Sequence, residues 1–246
     1  MSVSYIQREG HPDIAYVYSD GVEPLVVFCG GYRSDMAGKK ATYLEAQCKA
    51  RGQAYLRFDY GGHGESGGKF EEGTIGSWRD DMLAVFEHIN PDRAILVGSS
   101  MGGWMALMLM HSYPEKVKGF IGIAPAPDFT EDMFQRLSAE QKEALARDGF
   151  VKVPNEYSDE PYHYSMMFYD ESKQHYLLDE KRIAPCPMRI LQGLDDIVVL
   201  PEHAERIKAQ YEGDVSITLV EGGDHSLSRP KDLELIDAEV RALSDV

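Results

Sequence analysis

The chain has 246 residues, 43% of them hydrophobic, which suits one α/β domain with a full core and room for an insertion. Its net charge of −16, from 41 acidic and 25 basic residues, repels phosphate backbones and anionic lipid and so argues against nucleic acid or a membrane surface as partner. No run approaches the roughly 18 apolar residues of a membrane span, Met1–Tyr5 lacks the basic and apolar regions of a secretory signal, and the widely spaced Cys29, Cys48 and Cys186 read as reduced thiols of a cytosolic protein with no metal-like pairing.

Apolar runs alternate with helical ones along the chain. Ile14–Tyr18 and Leu25–Cys29 read as strands joined by a turn at Asp20-Gly21. Ala41–Arg51 has helical period, and Ala54–Phe58 reads as the next strand. Thr74–Ile89 is an amphipathic helix, with Trp78, Met82, Val85, Phe86 and Ile89 three and four residues apart. Strands follow at Ala94–Val97, Gly119–Ile123, Met188–Leu191 and Val215–Val220, and a helix over Arg229–Leu243 closes the chain. Such alternation implies a mostly parallel sheet with helices on both faces. The interval from Ile123 to Met188 contains no clear strand and exceeds what a crossover needs. Its surplus, about 128–179, predicts a small helical cap within a single domain spanning 1–246. The cap is placed over the carboxyl ends of the strands, where ligands of open α/β sheets lie.

The most informative segment is Ile95–Trp104. A buried strand runs into Gly98-Ser99-Ser100-Met101-Gly102, and an apolar helix follows at once. Gly-x-Ser-x-Gly between strand and helix is a nucleophile elbow: the serine sits on a sharp turn with its hydroxyl exposed. A serine hydroxyl needs a base, and the base needs an orienting group. His225 follows a strand in Gly222-Gly223-Asp224-His225, and the adjoining Asp195 and Asp196 follow another. All therefore fall at the carboxyl edge of the sheet with Ser100. His11 and His88 lie far from a strand's carboxyl end, His111 ends a helix, His163 and His175 fall in the cap, and His203 starts a helix after Pro201. Oxyanion donors are expected from the Met101 N–H and, in Gly30-Gly31-Tyr32, from the Tyr32 N–H. The glycine-dense loop Arg57–Gly67 lacks a Walker or dinucleotide signature, and Asp59 and His63 are read there as scaffold. No metal motif is present, and no cofactor is implied.

These segments together resemble the α/β-hydrolase superfamily. Within it, Gly30–Met36 and Val97–Trp104 are similar to the branch of the mitochondrial palmitoyl-protein thioesterase and acyl-glucuronide esterase and its bacterial relatives. The resemblance implies Ser100, Asp196 and His225 as a triad, with Tyr32 and Met101 as oxyanion donors. The spacing Gly193-x-x-Asp196-x-x-Val199 likewise selects Asp196 over Asp195. Gly30-Gly31 replaces the His-Gly common in the superfamily, and Leu200 stands where a proline often follows the acid loop. The expected activity is hydrolysis of small carboxylic esters or thioesters through an acyl-enzyme. Met166 and Phe168, in the Tyr157–Tyr169 stretch, are candidates to line an acyl pocket or else to pack the cap. The alternatives are an aminopeptidase-type amide hydrolase, with Glu156, Asp159 and Glu160 receiving an amine, and a non-enzymatic binding protein on the same fold.

Overall fold

A computed structural model of the chain describes residues 2–153 and 162–244. The chain runs through β1 (Ser4–Ile6), β2 (Ile14–Ser19), β3 (Val22–Cys29), α1 (Lys39–Ala50), β4 (Gln53–Phe58), α2 (Ile75–Ile89), β5 (Ala94–Ser99), α3 (Met101–Ser112) and β6 (Val117–Ile123). An excursion follows, with α4 (Phe129–Arg136), α5 (Ala139–Asp148), β7 (Phe150–Val153), β8 (Tyr162–Ser165), α6 (Met166–Ser172) and β9 (Arg182–Ile183). The chain then completes the sheet with β10 (Met188–Gly193), α7 (Pro201–Gln210), β11 (Tyr211–Glu212), β12 (Val215–Val220) and α8 (Pro230–Ser244).

Eight strands form one sheet in the order β1-β2-β4-β3-β5-β6-β10-β12. The pairings from β4 to β12 are parallel; β1 and β2 are antiparallel to their neighbours. Side chains of a strand alternate between faces, and the core divides accordingly. Leu25, Val27, Leu56 and Leu96 pack with Trp78 and Met82 of α2, α3, and Ile207 of α7. Val26, Phe28, Ile95 and Val97 pack with Leu44 of α1 and Leu233, Ile236 and Val240 of α8. Burial on both faces explains why these strands read as continuous apolar runs. The α3 residues Met101–Met110 are all buried, which accounts for their lack of a polar face.

The register aligns the strand ends that matter. Cys29 pairs with Gly98, Ser99 with Ile123, Leu191 with Ile123, and Gly193 with Val220. The loops after β3, β5, β6, β10 and β12 therefore leave the sheet along one edge.

The expectation of a strand-free helical cap needs correction. The excursion is not helical throughout: β7 and β8 form a separate antiparallel pair, with Phe150 opposite Ser165 and Val153 opposite Tyr162. Its strands are four residues each and lack a long apolar run, so periodicity did not single them out. Its helical part comes as two pieces. Leu137 is extended, and Ser138 opens a new helix with a capping box to Gln141. The short edge strand β1, unforeseen in the sequence, pairs with β2. Tyr157 at the start of the aromatic stretch, and the acidic residues Glu156, Asp159 and Glu160, lie outside the described residues. No helix among the described residues is long and apolar enough to cross a membrane.

Candidate active site

Ser100 occupies the single residue between β5 and α3, at φ +55° and ψ −121°. A non-glycine residue in this region is strained and persists only where its surroundings determine it. Here the Ser100 N–H donates to the Ile123 carbonyl at 3.0 Å, and its own carbonyl accepts from Gly103 and Ala126 at 2.8 and 3.0 Å. The flanking glycines are steric requirements. A side chain on Gly98 would overlap the Gly102 carbonyl, and one on Gly102 would overlap the Cys29 and Gly30 carbonyls. The turn is thus fixed by the strands on either side of β5.

Asp196 follows β10 and is 2% exposed. Its Oδ1 accepts the Val198 and Val199 N–H groups, both at 2.9 Å. Its Oδ2 accepts from His225 Nδ1 at 2.8 Å and from Gln192 Nε2 at 3.1 Å. Burial pushes this carboxyl up, but the hydrogen bond and charge of His225, with the two backbone donors, outweigh it and hold it below the ordinary range. Asp195 points elsewhere: it is exposed, and its N–H donates to the Gly223 carbonyl at 2.8 Å.

His225 follows β12 in a loop built by local bonds. Asp224 Oδ1 accepts the N–H groups of Ser226 and Leu227 at 3.1 and 3.0 Å. Lys40, from the first turn of α1, donates to the Ser226 carbonyl at 2.5 Å. Burial lowers this ammonium to about 8, with Asp224 opposing the shift. On the far side of the imidazole, Nε2 lies 3.1 Å from Ser100 Oγ. With Nδ1–H committed to Asp196, Nε2 is the acceptor of the serine proton. Ser100, His225 and Asp196 are thus joined by two consecutive hydrogen bonds, although the His and Asp lie 125 and 96 positions downstream of the serine.

The loop after β3 lies over this turn. A Cβ on Gly31 would sit 3.4 Å from Ser100 Cβ. The loop is held from below: the Arg33 N–H donates to His63 Nε2 at 3.3 Å, the Met36 N–H to Asp59 Oδ1 at 2.6 Å, and Arg57 to the Met36 carbonyl at 2.8 Å. Burial lowers His63 to about 4, so the imidazole is neutral and able to accept. Asp59 and His63 therefore brace the loop that carries Tyr32. The Met101 N–H belongs to the first turn of α3, where a helix offers it no carbonyl.

The Tyr32 ring meets Phe70, Trp78, Phe129 and Phe168 at centroid distances of 4.8, 5.8, 5.9 and 6.0 Å. Phe129 and Phe168 come from the excursion, so its helices reach the loop beside Ser100. Met166, two residues before Phe168, packs instead with Leu137, Leu145 and Val151 in a small core of the excursion itself. A cleft of about 480 Å³ lies at the N-terminal end of α2, between Lys69, Trp78, Arg79, Glu171 and His175. No member of the Ser100–His225–Asp196 chain lines it, and the position of the reactive groups, not this volume, marks the site. Other histidines are engaged elsewhere: His203 with the Pro127 carbonyl at 3.0 Å, His175 with Glu171 at 2.7 Å, and His111 with Tyr211 at 3.0 Å. Among the described residues no group of three His, Cys, Asp or Glu side chains is placed to hold a metal ion.

Sequence reasoning missed Gln192, Lys40, Phe129 and Trp78 at this site. Gln192 carried a usable signal, as a polar residue inside an otherwise buried strand end; the others are ordinary helix or loop residues until the fold brings them in.

With this geometry in view, similarity to known proteins becomes informative. Residues 21–161 match the Hydrolase_4 family, described as serine aminopeptidase, S33. The chain is 36% identical to the human palmitoyl-protein thioesterase ABHD10, mitochondrial, covering 99% of this chain and 80% of that protein. The Bos taurus protein of the same name is 35% identical over the same shares. The solved structure of mouse alpha/beta hydrolase domain-containing protein 10 superposes with a TM-score of 0.93 at 34% identity, covering 99% of this chain and 98% of that one. The chain belongs to the α/β-hydrolase superfamily, in the branch of these proteins. An α/β-hydrolase carries its reactive groups on the loops at the carboxyl edge of the sheet, which is where Ser100, Asp196 and His225 meet.

Proposed function

We propose that this α/β-hydrolase is a serine esterase or thioesterase that cleaves small acyl substrates through an acyl-enzyme. The observation that carries this reading is the unbroken chain from buried Asp196 through His225 to Ser100, at 2.8 and 3.1 Å. Ser100 Oγ attacks the acyl carbon while His225 Nε2 takes its proton. Asp196 keeps the proton on Nδ1 and stabilises the imidazolium that forms. The tetrahedral oxyanion is held by the N–H groups of Met101 and Tyr32. The alkoxide or thiolate departs with the proton from His225. Water, deprotonated by the same imidazole, then releases the acid and regenerates the enzyme. No step calls for a cofactor.

The aromatic group around Tyr32 supplies an apolar wall for the acyl part, with Phe168 in that wall and Met166 in the packing behind it. The relatives' name, palmitoyl-protein thioesterase, supports an acyl thioester among the substrates. Cleavage of an aminoacyl amide is the second reading, favoured by the aminopeptidase description of the matching family. The three free, buried thiols suit a reducing compartment. The cytosol is the placement we propose, whereas these relatives are named as mitochondrial.

The deciding experiment is a fluorophosphonate reaction with the purified protein, followed by hydrolysis of esters and thioesters of graded chain length beside aminoacyl anilides. Labelling of Ser100 with turnover of esters or thioesters is expected. Turnover confined to aminoacyl anilides selects the second reading, and an unlabelled, inactive protein selects a binding role.

A further inference from the structure

We propose that Gln192 is a positioning residue of this triad, donating to the Asp196 oxygen that also binds His225 and so setting how strongly the carboxylate pulls on the imidazole. The proposal rests on the triad reading above and concerns its tuning. Gln192 is fully buried at the end of β10. Its Nε2 lies 3.1 Å from Asp196 Oδ2, 3.0 Å from the Val199 carbonyl and 3.3 Å from the Gly193 carbonyl. Three acceptors around one end of the amide identify that end as the nitrogen. The other end, Oε1, is buried and has no partner among the described residues. A buried acceptor left unmade is costly, and an aliphatic side chain would fill the strand without that cost. What the amide adds over an aliphatic residue is the donor to the acid loop.

The consequence follows from counting donors. Asp196 Oδ1 is served by Val198 and Val199, and Oδ2 by His225 and Gln192. A neutral donor sharing Oδ2 lowers the proton affinity of the carboxylate and tempers its hold on Nδ1–H. The second bond, to the Val199 carbonyl, ties the 194–199 loop back to the strand and fixes the plane of the carboxylate. Without the donor, Asp196 is more basic, His225 is bound more tightly, and the imidazole holds its proton to higher pH.

The test is the acid limb of the kcat/KM profile for an activated ester, which reports protonation of the base in the free enzyme. Gln192→Met keeps length and volume but has no donor. Its acid limb should move upward by about half a unit or more, with kcat lowered about tenfold, KM within about twofold, and Ser100 still labelled. Gln192→Glu, held protonated beside Asp196 and the Val199 carbonyl, keeps a donor to Oδ2 and should leave the limb near the wild-type midpoint. A purely packing role lowers thermal stability and leaves the midpoint in place. A folded Gln192→Met variant with the wild-type midpoint and turnover therefore overturns the proposal. If neither variant folds, the wild-type protein decides. With glutamine labelled by ¹⁵N at the side chain, one exchange-protected amide should titrate with the midpoint of the acid limb, and its absence is equally fatal. A wild type that neither labels at Ser100 nor turns over breaks the triad reading itself, whereas an active wild type indifferent to Gln192 breaks only this inference.

Discussion

The carboxyl edge of the sheet and the excursion between β6 and β10 meet at Tyr32 but are held in different ways. At the edge, the reactive residues sit one to five positions beyond strands paired in parallel register, and backbone carbonyls of neighbouring strands bind the loops directly. The excursion has a small core of its own around Leu137, Leu145 and Val151, and is tied down by side chains. Asp128, where the chain leaves β6, accepts the Leu177 and Leu178 N–H groups at 2.9 and 2.8 Å and so joins the two ends of the segment. Thr130 and Ser172 hydroxyls meet at 2.7 Å, and Tyr169 donates to Glu131 at 2.9 Å. Strand register places an atom to within a hydrogen bond, which chemistry requires. Side-chain ties let a wall be rebuilt without disturbing the nucleophile.

The largest effects should come from the edge. Ser100→Ala is expected to cost on the order of 10⁴–10⁶ in kcat and to abolish fluorophosphonate labelling, while Ser99→Ala keeps both. Persistent active-site labelling of Ser100→Ala, read by mass spectrometry, would falsify the assignment.

Next is the acid pair. Asp196→Asn should lower the rate roughly 10⁴-fold, since an amide can hold His225 in the wrong tautomer. Asp195→Asn, at an exposed carboxylate next door, should change kcat/KM by less than about threefold, within the small range of surface substitutions. Equal losses in the two variants would remove the distinction that strand-end geometry makes between them.

The excursion should respond through selectivity and stability. Phe168→Ala opens the wall beside Tyr32 and should change chain-length preference more than it changes turnover of an acetyl ester. Met166→Ala should leave that preference alone and cost about 2 kcal/mol, the low end for a large-to-small core change at a partly buried site. Kinetics on a graded ester series together with denaturant unfolding separate the two. Reversed behaviour would move the pocket into the segment's own core.

The smallest effect is a pH dependence at the base of the excursion. Burial raises Asp128 to about 6, against the opposing Leu177 and Leu178 donors. Because the folded value lies above the unfolded one, the folded state binds the extra proton between about pH 4 and 6, and stability falls as pH rises through that window. The contribution is present at low pH and lost above about 6, and is worth at most about 3 kcal/mol. In an Asp128→Asn variant the side-chain amide oxygen can still accept both N–H groups but does not titrate, so the unfolding free energy should be flatter between pH 4 and 6. Identical slopes for the two proteins would dissociate Asp128 from the effect.

Much of this molecule was legible in the chain because its signals are local. A parallel strand buried on both faces must be apolar throughout, so Leu25–Cys29, Ala94–Val97 and Met188–Leu191 stood out. The elbow around Ser100 leaves no room for side chains at 98 and 102, so its glycines mark it in any order of reading. Once strand ends are located, a parallel sheet obliges the loops after them to share an edge, which brought Asp196 and His225 toward Ser100 before any distance was known. Tertiary structure decided the rest. The antiparallel pair β7–β8 is stabilised by a core assembled from α5, α6 and the strands themselves, and so had no periodicity to show. The wall around Tyr32 draws on Phe70, Trp78, Phe129 and Phe168, far apart in sequence and each an ordinary core residue when taken alone. Whether Met166 or Phe168 faces that wall depends on the roll of α6, which packing sets. The donor from Gln192 to Asp196 depends on a buried loop folding back on its own strand. Contacts of this kind are specified by the summed packing of many elements, and no short stretch of sequence encodes them.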